Sequence, residues 1–555
     1  LLLLVSAVVC FTPLPVFSVI LNEVKDPCIF VVVRFASLYF LVVILALSLP
    51  KKNPHFVSSA NRNHRRKHVN PTGSRMQTLH PPSKTSRFQA PSSMFWVGFL
   101  IRVLYLTLAH TYRIRLTQDH LQFGWEMGRI ARALATGYGF ADPFTGHTGP
   151  TAWAPPLYPL FVAAVFKLFG VYTAKSAWVI LTINSIFSAA TSSVIYEIAA
   201  RCFAPLGTTR ARKIALWSGW LWALHPAAMQ YAVRWIWDMA ITTFLFSKLI
   251  AIALRVRAIG EDPEDPADAE EVPTAEPQTT ARWAIFGILS GLIALLNSTL
   301  LLFIPVCGLW MLLGTIDKAA TEDRVPTHKF RAAFSKAILS ALLFFACLAP
   351  WMIRNWHVFH AIVPIRGNFG AELNASVQEG HDGFSWGPTI PICEQCPEYI
   401  SYKKMGERAY VQHQGELAAQ HIRTHKLRFL QLALKRFYFF WVSVPHPIEF
   451  GVWNEAFRVL NYSFVSLAAL LGLALALKRR IPAAILFAWA FTLLPFTYYF
   501  VTVQARFRSP LEPIMTILAV YLFQSATPRR RPSQPPPSLP NQKRAGAPSS
   551  ARFCA

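Results

Sequence analysis

The sequence predicts an all-α fold, a polytopic transmembrane bundle of about 10–13 helices with interfacial helices in the first and in a later outer loop. Three observations carry this. Of 555 residues, 53% are hydrophobic and only 15% are charged, whereas soluble domains sit nearer ~25% charged. Mean hydropathy is +0.34. Apolar runs of about 16–25 residues recur along the chain, the length a helix needs to cross a bilayer while satisfying its own backbone. Strands of a membrane barrel would alternate apolar and polar residues, and these runs do not.

Residues 1–93 form an N-terminal extension that is set aside from the functional argument. Segments 1–21 and 29–49 are apolar, and a basic, Pro- and Ser-rich stretch follows that has no core-forming pattern. Met76 and Met94 are both plausible starts, so residues 1–75 are expected to lie outside the natural mature protein, with a signal peptide as the alternative. The apolar segments are 94–112, 156–172, 176–202, 213–233, 236–257, 282–297, 299–315, 332–350, 456–477, 482–502 and 509–526. Residues 427–444 add an apolar or interfacial segment with Lys435 and Arg436 beside a Phe-Tyr-Phe-Phe-Trp run, the basic and aromatic mix of a membrane surface. Together they define a core over 94–350, an outer region over 351–455, C-terminal helices over 456–526 and a basic, Pro-rich tail over 527–555. Residues 260–280 read as an acidic linker that cannot fold alone.

The formal net charge is +26, with a net +9 in residues 1–93 and +6 in 527–555. Basic flanks of this kind suit cytoplasmic loops and anionic headgroups. No folded basic module argues for nucleic acid. The charge pattern puts loop 113–155 and loop 351–455 on the same, outer side. The parity of the segments does not close, and 156–172, short and opening Pro-Pro-Leu-Tyr-Pro, is the best suspect for a segment that re-enters or lies at the interface.

Charge at the edge of a bilayer is expensive and marks functional sites. Asp119 follows Arg113 and Arg115 at the outer end of the first core helix, a solvated loop acid or a catalytic base. Glu126 lies seven residues on, so the two acids could share one face of an interfacial helix. Gly137-Tyr-Gly-Phe140 and Gly149-Pro-Thr-Ala-Trp-Ala-Pro-Pro-Leu-Tyr-Pro159 follow. Their Gly and Pro residues shape a loop, and Trp153 and Tyr158 suit the headgroup layer. Arg234, Arg354, Arg366, Arg506 and Arg508 each stand at an apolar segment's end. Arginine keeps its charge and grips phosphate bidentately, although snorkelling is the alternative for any one of them. Arg354 is the best candidate, in a Pro-Trp-x-x-Arg-Asn turn that includes Asn355. Asp238 is four residues after Arg234, where it pairs with that arginine or lines a sugar site.

Eight cysteines are scattered, mostly in apolar runs as inert core residues. Cys393 and Cys396 have a disulfide or a chance spacing as the best reading. The histidines of the outer region have no metal-ligand spacing. No cofactor is indicated, and a divalent metal has no support in the sequence.

Asp119, GYGF, GPTAWAPPLYPLF, FKLFG, HPAAMQYAVRWIWDM, APWMIRN at 349–355 and RFRSP at 506–510 recur together in one family. On these pieces the chain resembles the GT-C class of integral-membrane glycosyltransferases, related to dolichyl-phosphate-mannose protein mannosyltransferases and lipid A aminoarabinose transferases. The resemblance covers roughly 94–370 and continues more weakly to 526. It implies Asp119 as the base, a polyprenyl-phosphate sugar as donor, a lipid, glycan or protein as acceptor, and an active site on the outer face of the cytoplasmic membrane. Two departures stand out. Some relatives place an acid and a base just before the Pro-Pro pair, where this chain has Trp153 and Ala154, which weakens an aminoarabinose donor and a metal site. The mannosyltransferases show an Asp-Glu pair where Asp119 is followed by His120, which weakens protein O-mannosylation.

The chemistry agrees. A sugar on a lipid phosphate has a good leaving group, so one carboxylate base and cationic clamps suffice, whereas a glycosidase needs a matched carboxylate pair. Inversion at the anomeric carbon follows from a single displacement. The competing readings are an envelope polysaccharide polymerase or ligase and a non-catalytic transporter; a transporter predicts repeats and mid-membrane polar breaks.

Overall fold

The computed structural model describes residues 90–115, 120, 122–260, 275–322, 327–378, 391, 394–444 and 451–526. Its regular structure is helical. In chain order the helices are α1 (Pro91–Leu108), α2 (Glu126–Ala135), α3 (Leu157–Phe169), α4 (Ala174–Phe203), α5 (Thr208–Leu224), α6 (Pro226–Val233), α7 (Met239–Val256), α8 (Ala275–Leu296) and α9 (Phe303–Glu322). They continue as α10 (Thr327–Phe359), α11 (Phe369–Val377), α12 (Pro397–Met405), α13 (Glu407–Thr424), α14 (Lys426–Val442), α15 (Val452–Lys478), α16 (Ala484–Phe500) and α17 (Glu512–Gln524). Seven helical stretches among the described residues are long and apolar enough to cross a membrane: Pro91–Leu108, Ala174–Leu206, Met239–Val256, Thr279–Leu296, Ser298–Thr315, Arg331–Phe359 and Glu455–Lys478. Three shorter apolar helices, α3, α16 and α17, stand beside them. The chain is an all-α, polytopic helical bundle.

Helix pairs meet closely where glycine removes the side chain. On α8, a Cβ added to Gly287 would lie 2.3 Å from the Ser340 carbonyl oxygen, and one on Gly291 would lie 2.5 Å from the Cys347 Cβ. Two glycines four residues apart thus seat α8 on α10, the close approach that packing in lipid favours.

The 213–233 segment, expected as one span, is broken. Helix α5 ends at Leu224, His225 is extended, and Pro226 opens α6. Proline has no N–H to give the carbonyl four residues back, so Trp222 loses its helical partner. Arg102 of α1, fully buried, supplies the missing donors. Its Nη2 reaches the Trp222 oxygen at 3.3 Å, and its Nη1 reaches the Ala223 oxygen at 2.8 Å and the Gly98 oxygen at 2.9 Å. Its Nε donates to Ser188 Oγ at 3.0 Å. An arginine inside an apolar helix is thereby explained without catalysis.

Segment 156–172 folds as the 13-residue α3, about 20 Å long and too short for a full crossing. The linker expected over 260–280 ends earlier, because α8 already starts at Ala275; residues 261–274 lie outside the described residues. Helix α10 runs through Pro350 to Phe359. Arg354 and Asn355 therefore stand on a helix and not in the expected turn. The interfacial helices expected in the two loops correspond to α2 and to α11–α14.

Candidate active site

The first loop is closed on itself. Gly137 and Gly139 adopt φ of 95° and 77°, the left-handed backbone that glycine adopts freely. The chain then forms an antiparallel bridge between Ala141 and Pro150. Buried Asp142 closes the turn: its Oδ1 accepts from the Thr148 and Gly149 N–H groups at 2.8 and 2.9 Å, and its Oδ2 lies 2.9 Å from His147 Nδ1.

Two charged residues hold this loop from either side. From α10, Arg354 donates to the Thr151 and Phe140 oxygens, both at 2.7 Å. From α13, buried Glu407 accepts from the Thr151 hydroxyl, from the Ala152 N–H at 2.6 Å and from the Tyr402 hydroxyl at 2.8 Å. Burial raises the Glu407 carboxyl above the usual range, against the pull of these donors and of Arg354. A carboxyl raised by folding contributes stability that is full below its unfolded value, near ~4.3, and is lost as pH rises through the folded value. Glu407→Ala leaves three buried donors without an acceptor and is expected to cost about 3 kcal/mol or more. Thermal melting checks this; in addition, wild type should gain on Glu407→Gln as pH is lowered from 7 to 5.

A second polar cluster lies where the helices are interrupted. Three breaks contribute: residues 234–238 between α6 and α7, a 3-10 turn at Ser298–Leu302 before α9, and a 3-10 turn at Ala505–Arg508 before α17. Irregular backbone at membrane depth is tolerated only where protein or a water-filled cavity receives its polar groups. Asp238, at the N-terminus of α7, is buried, and its Oδ2 accepts from Thr242 Oγ1 at 2.9 Å. The charges of Arg506 and Arg366 act on its carboxyl. Arg366 donates through Nε to the Trp153 oxygen at 3.0 Å and pairs with Glu372 Oε1, which also accepts from Asn368 Nδ2 at 2.8 Å. The Arg506 guanidinium lies 4.2 Å from the centre of the Trp237 ring. Glu126, Tyr231, Asp238 and Glu372 act on it electrostatically, while burial lowers its pKa. The Tyr498 hydroxyl, 2.7 Å from Thr299 Oγ1, feels Asp238 and Arg366.

The structure thus brings together Glu126, Asp238, Arg366 and Arg506. Tyr158 stands beside them: it is buried, its hydroxyl accepts from Asn184 Nδ2 at 3.2 Å, and it feels the Asp238 charge. The other expected positions are corrected. Trp153 is a core residue packed on Phe144 and Tyr402, not a headgroup anchor. Arg234 is exposed, and no ion pair to Asp238 occurs among the described residues. Arg354 is occupied by loop carbonyls and by Asn355 Oδ1 at 2.9 Å, while Asn355 Nδ2 donates to the Val363 oxygen at 2.8 Å. Arg508 points away from Arg506, paired with Glu512 at 3.3 Å and stacked over Tyr462 at 4.0 Å. Asp119 lies outside the described residues, as does Cys393; Cys396 is disulfide-bonded.

Sequence reasoning missed Glu372, Glu407, Trp125, Trp237 and Tyr498. Only the Trp235-Ile-Trp237 alternation beside Asp238 was a usable signal, because alternating aromatics inside an apolar segment mark an extended break.

No family model matches the chain, and no curated protein matches it. Among solved structures, it is similar to the oligosaccharyltransferase of Archaeoglobus fulgidus in its apo form, at 14% identity and a TM-score of 0.41, over 77% of this chain and 50% of that one. It is similar to the archaeal oligosaccharyltransferase AglB from Archaeoglobus fulgidus in complex with an inhibitory peptide and a dolichol-phosphate, at 14% identity and a TM-score of 0.42, over 77% and 50%. It is also similar to ArnT from Cupriavidus metallidurans bound to undecaprenyl phosphate, at 11% identity and a TM-score of 0.28, over 77% of each chain. The chain spans about half the length of the oligosaccharyltransferases it matches.

Proposed function

We propose that the protein is a membrane glycosyltransferase. It takes a sugar from a polyprenyl-phosphate donor and passes it, with inversion, to a hydroxyl on a lipid, glycan or protein acceptor. The reaction takes place at the end of the bundle that carries loop 113–155, on the outer face of the cytoplasmic membrane. The observation that carries this reading is that Arg366 and Arg506, from two distant stretches, both act on buried Asp238, while Arg366 also holds the Trp153 carbonyl of loop 113–155.

Each residue then has a task. Asp119 accepts the proton of the acceptor hydroxyl as its oxygen attacks the anomeric carbon. The bond from that carbon to the phosphate oxygen breaks, and its electron pair stays on the lipid phosphate. Charge grows there, and Arg506 and Arg366 stabilise it. Preorganised donors act most strongly where charge develops in a site shielded from water. Arg366 is held in place by Glu372 and the Trp153 carbonyl, so it pays little reorganisation. Asp238 and Glu126 balance the two guanidinium charges before the donor arrives.

Membranes that contain the protein, incubated with radiolabelled polyprenyl-phosphate sugars, are expected to transfer label to an acceptor that can then be identified. Label that crosses the membrane but stays on its lipid would favour a transporter. Label built into a growing polymer would favour a polymerase.

A further inference from the structure

The half-buried Arg506 guanidinium is flanked by three aromatic rings. Its Cζ lies 4.2 Å from the centre of Trp237, 5.3 Å from Phe507 and 6.0 Å from Trp125. Trp237 is itself backed by Trp235, with ring centres 4.8 Å apart and planes within 6°. Two residues apart along the chain, those rings can stack only because residues 234–238 leave the helix. Trp237 is buried, while Trp125 and Trp235 are half-buried.

Trp125 is unusual twice over. It precedes α2 with φ of 54° and ψ of −134°, a backbone that a residue with a side chain rarely adopts and that clusters at functional sites. Its indole Nε1 is buried without a hydrogen-bond partner among the described residues. Buried donors are ordinarily satisfied, so an open donor on a ring whose centre is 6.0 Å from the Arg506 guanidinium suits an anionic oxygen.

We infer that Trp125, Trp237 and Phe507 form an aromatic cage that fixes Arg506 and sets the site's affinity for a lipid phosphate. This rests on the glycosyltransferase reading above. Trp237 is a positioning residue that acts through Arg506. Trp125 is a contact residue whose indole N–H donates to a phosphate oxygen. The cage does two physical things. Ring faces attract the cation and limit its rotamers. They also cover part of the guanidinium, so water screens its attraction to a phosphate less.

The test uses the full chain in lipid nanodiscs, with undecaprenyl phosphate as the probe and melting temperature as the folding check. Trp237→Leu is expected to weaken binding about 5- to 20-fold, and Trp237→Phe, which keeps a ring face, by about 3-fold or less. In an Arg506→Lys background, Trp237→Leu should cost much less, because coupled residues do not add. Trp125→Phe keeps the ring, loses the N–H and should weaken binding about 5-fold; it remains a test should Trp237→Leu fail to fold. Unchanged binding in Trp237→Leu and Trp125→Phe, with Arg506→Gln weakened, overturns the cage alone. Equal loss in Trp237→Leu and Trp237→Phe, undiminished in the Arg506→Lys background, also overturns it, since plain packing would explain that. Unchanged binding in Arg506→Gln overturns the phosphate role of Arg506 and so the reading beneath it.

Discussion

Asp119→Asn is expected to stop sugar transfer while the protein still inserts and folds. Asparagine keeps the shape and the hydrogen-bonding oxygen but cannot take the acceptor proton. General bases contribute roughly 10²- to 10⁴-fold, so turnover by the purified variant should fall by about 10³-fold. Binding of undecaprenyl phosphate should change little, because the proposed site for the phosphate is built from the arginines and not from Asp119. Full transfer in this variant would remove Asp119 from the chemistry. The base would then be sought among the acids near Arg506, namely Glu126, Asp238 and Glu372.

Arg506→Gln is expected to lower kcat/KM by roughly 10²- to 10³-fold, the range for removing one preorganised donor from a developing anion. Arg506→Lys should fall between that variant and wild type, since an ammonium is a compact charge without the planar fork and stacks less well on Trp237. The control is two residues away. Arg508 is buried, paired with Glu512, and donates to the Tyr462 oxygen at 3.2 Å and to Ser466 Oγ at 2.8 Å. Arg508→Gln should therefore lower the melting temperature and leave kcat/KM of the folded fraction within about 3-fold, because breaking a buried pair is a stability effect. If Arg506→Gln and Arg508→Gln cannot be told apart in kinetics, Arg506 is not the phosphate clamp.

The contrast between these two arginines shows where sequence reading stops. Both stand in Arg506-Phe-Arg508 before an apolar segment, and composition treats them alike. The 3-10 turn at Ala505–Arg508 sends one guanidinium toward Trp237 and the other toward Tyr462. Arg354 failed as a clamp for a related reason. Its turn was inferred from Pro350, but α10 continues through that proline, and the loop carbonyls of Phe140 and Thr151 occupy the side chain. Trp153 looked like a headgroup anchor, and only the packing of Phe144 and Tyr402 around it shows a core residue.

From the sequence alone came the all-α membrane class and the positions of most apolar helices. Those properties are local: a run of apolar residues must satisfy its own backbone, and Gly and Pro dictate turns from within a few residues. Tertiary structure alone decided which charges meet. Glu126, Asp238, Arg366 and Arg506 come from four distant stretches. A charge's worth depends on its neighbours and its burial, and neither is written in the spacing of one chain segment.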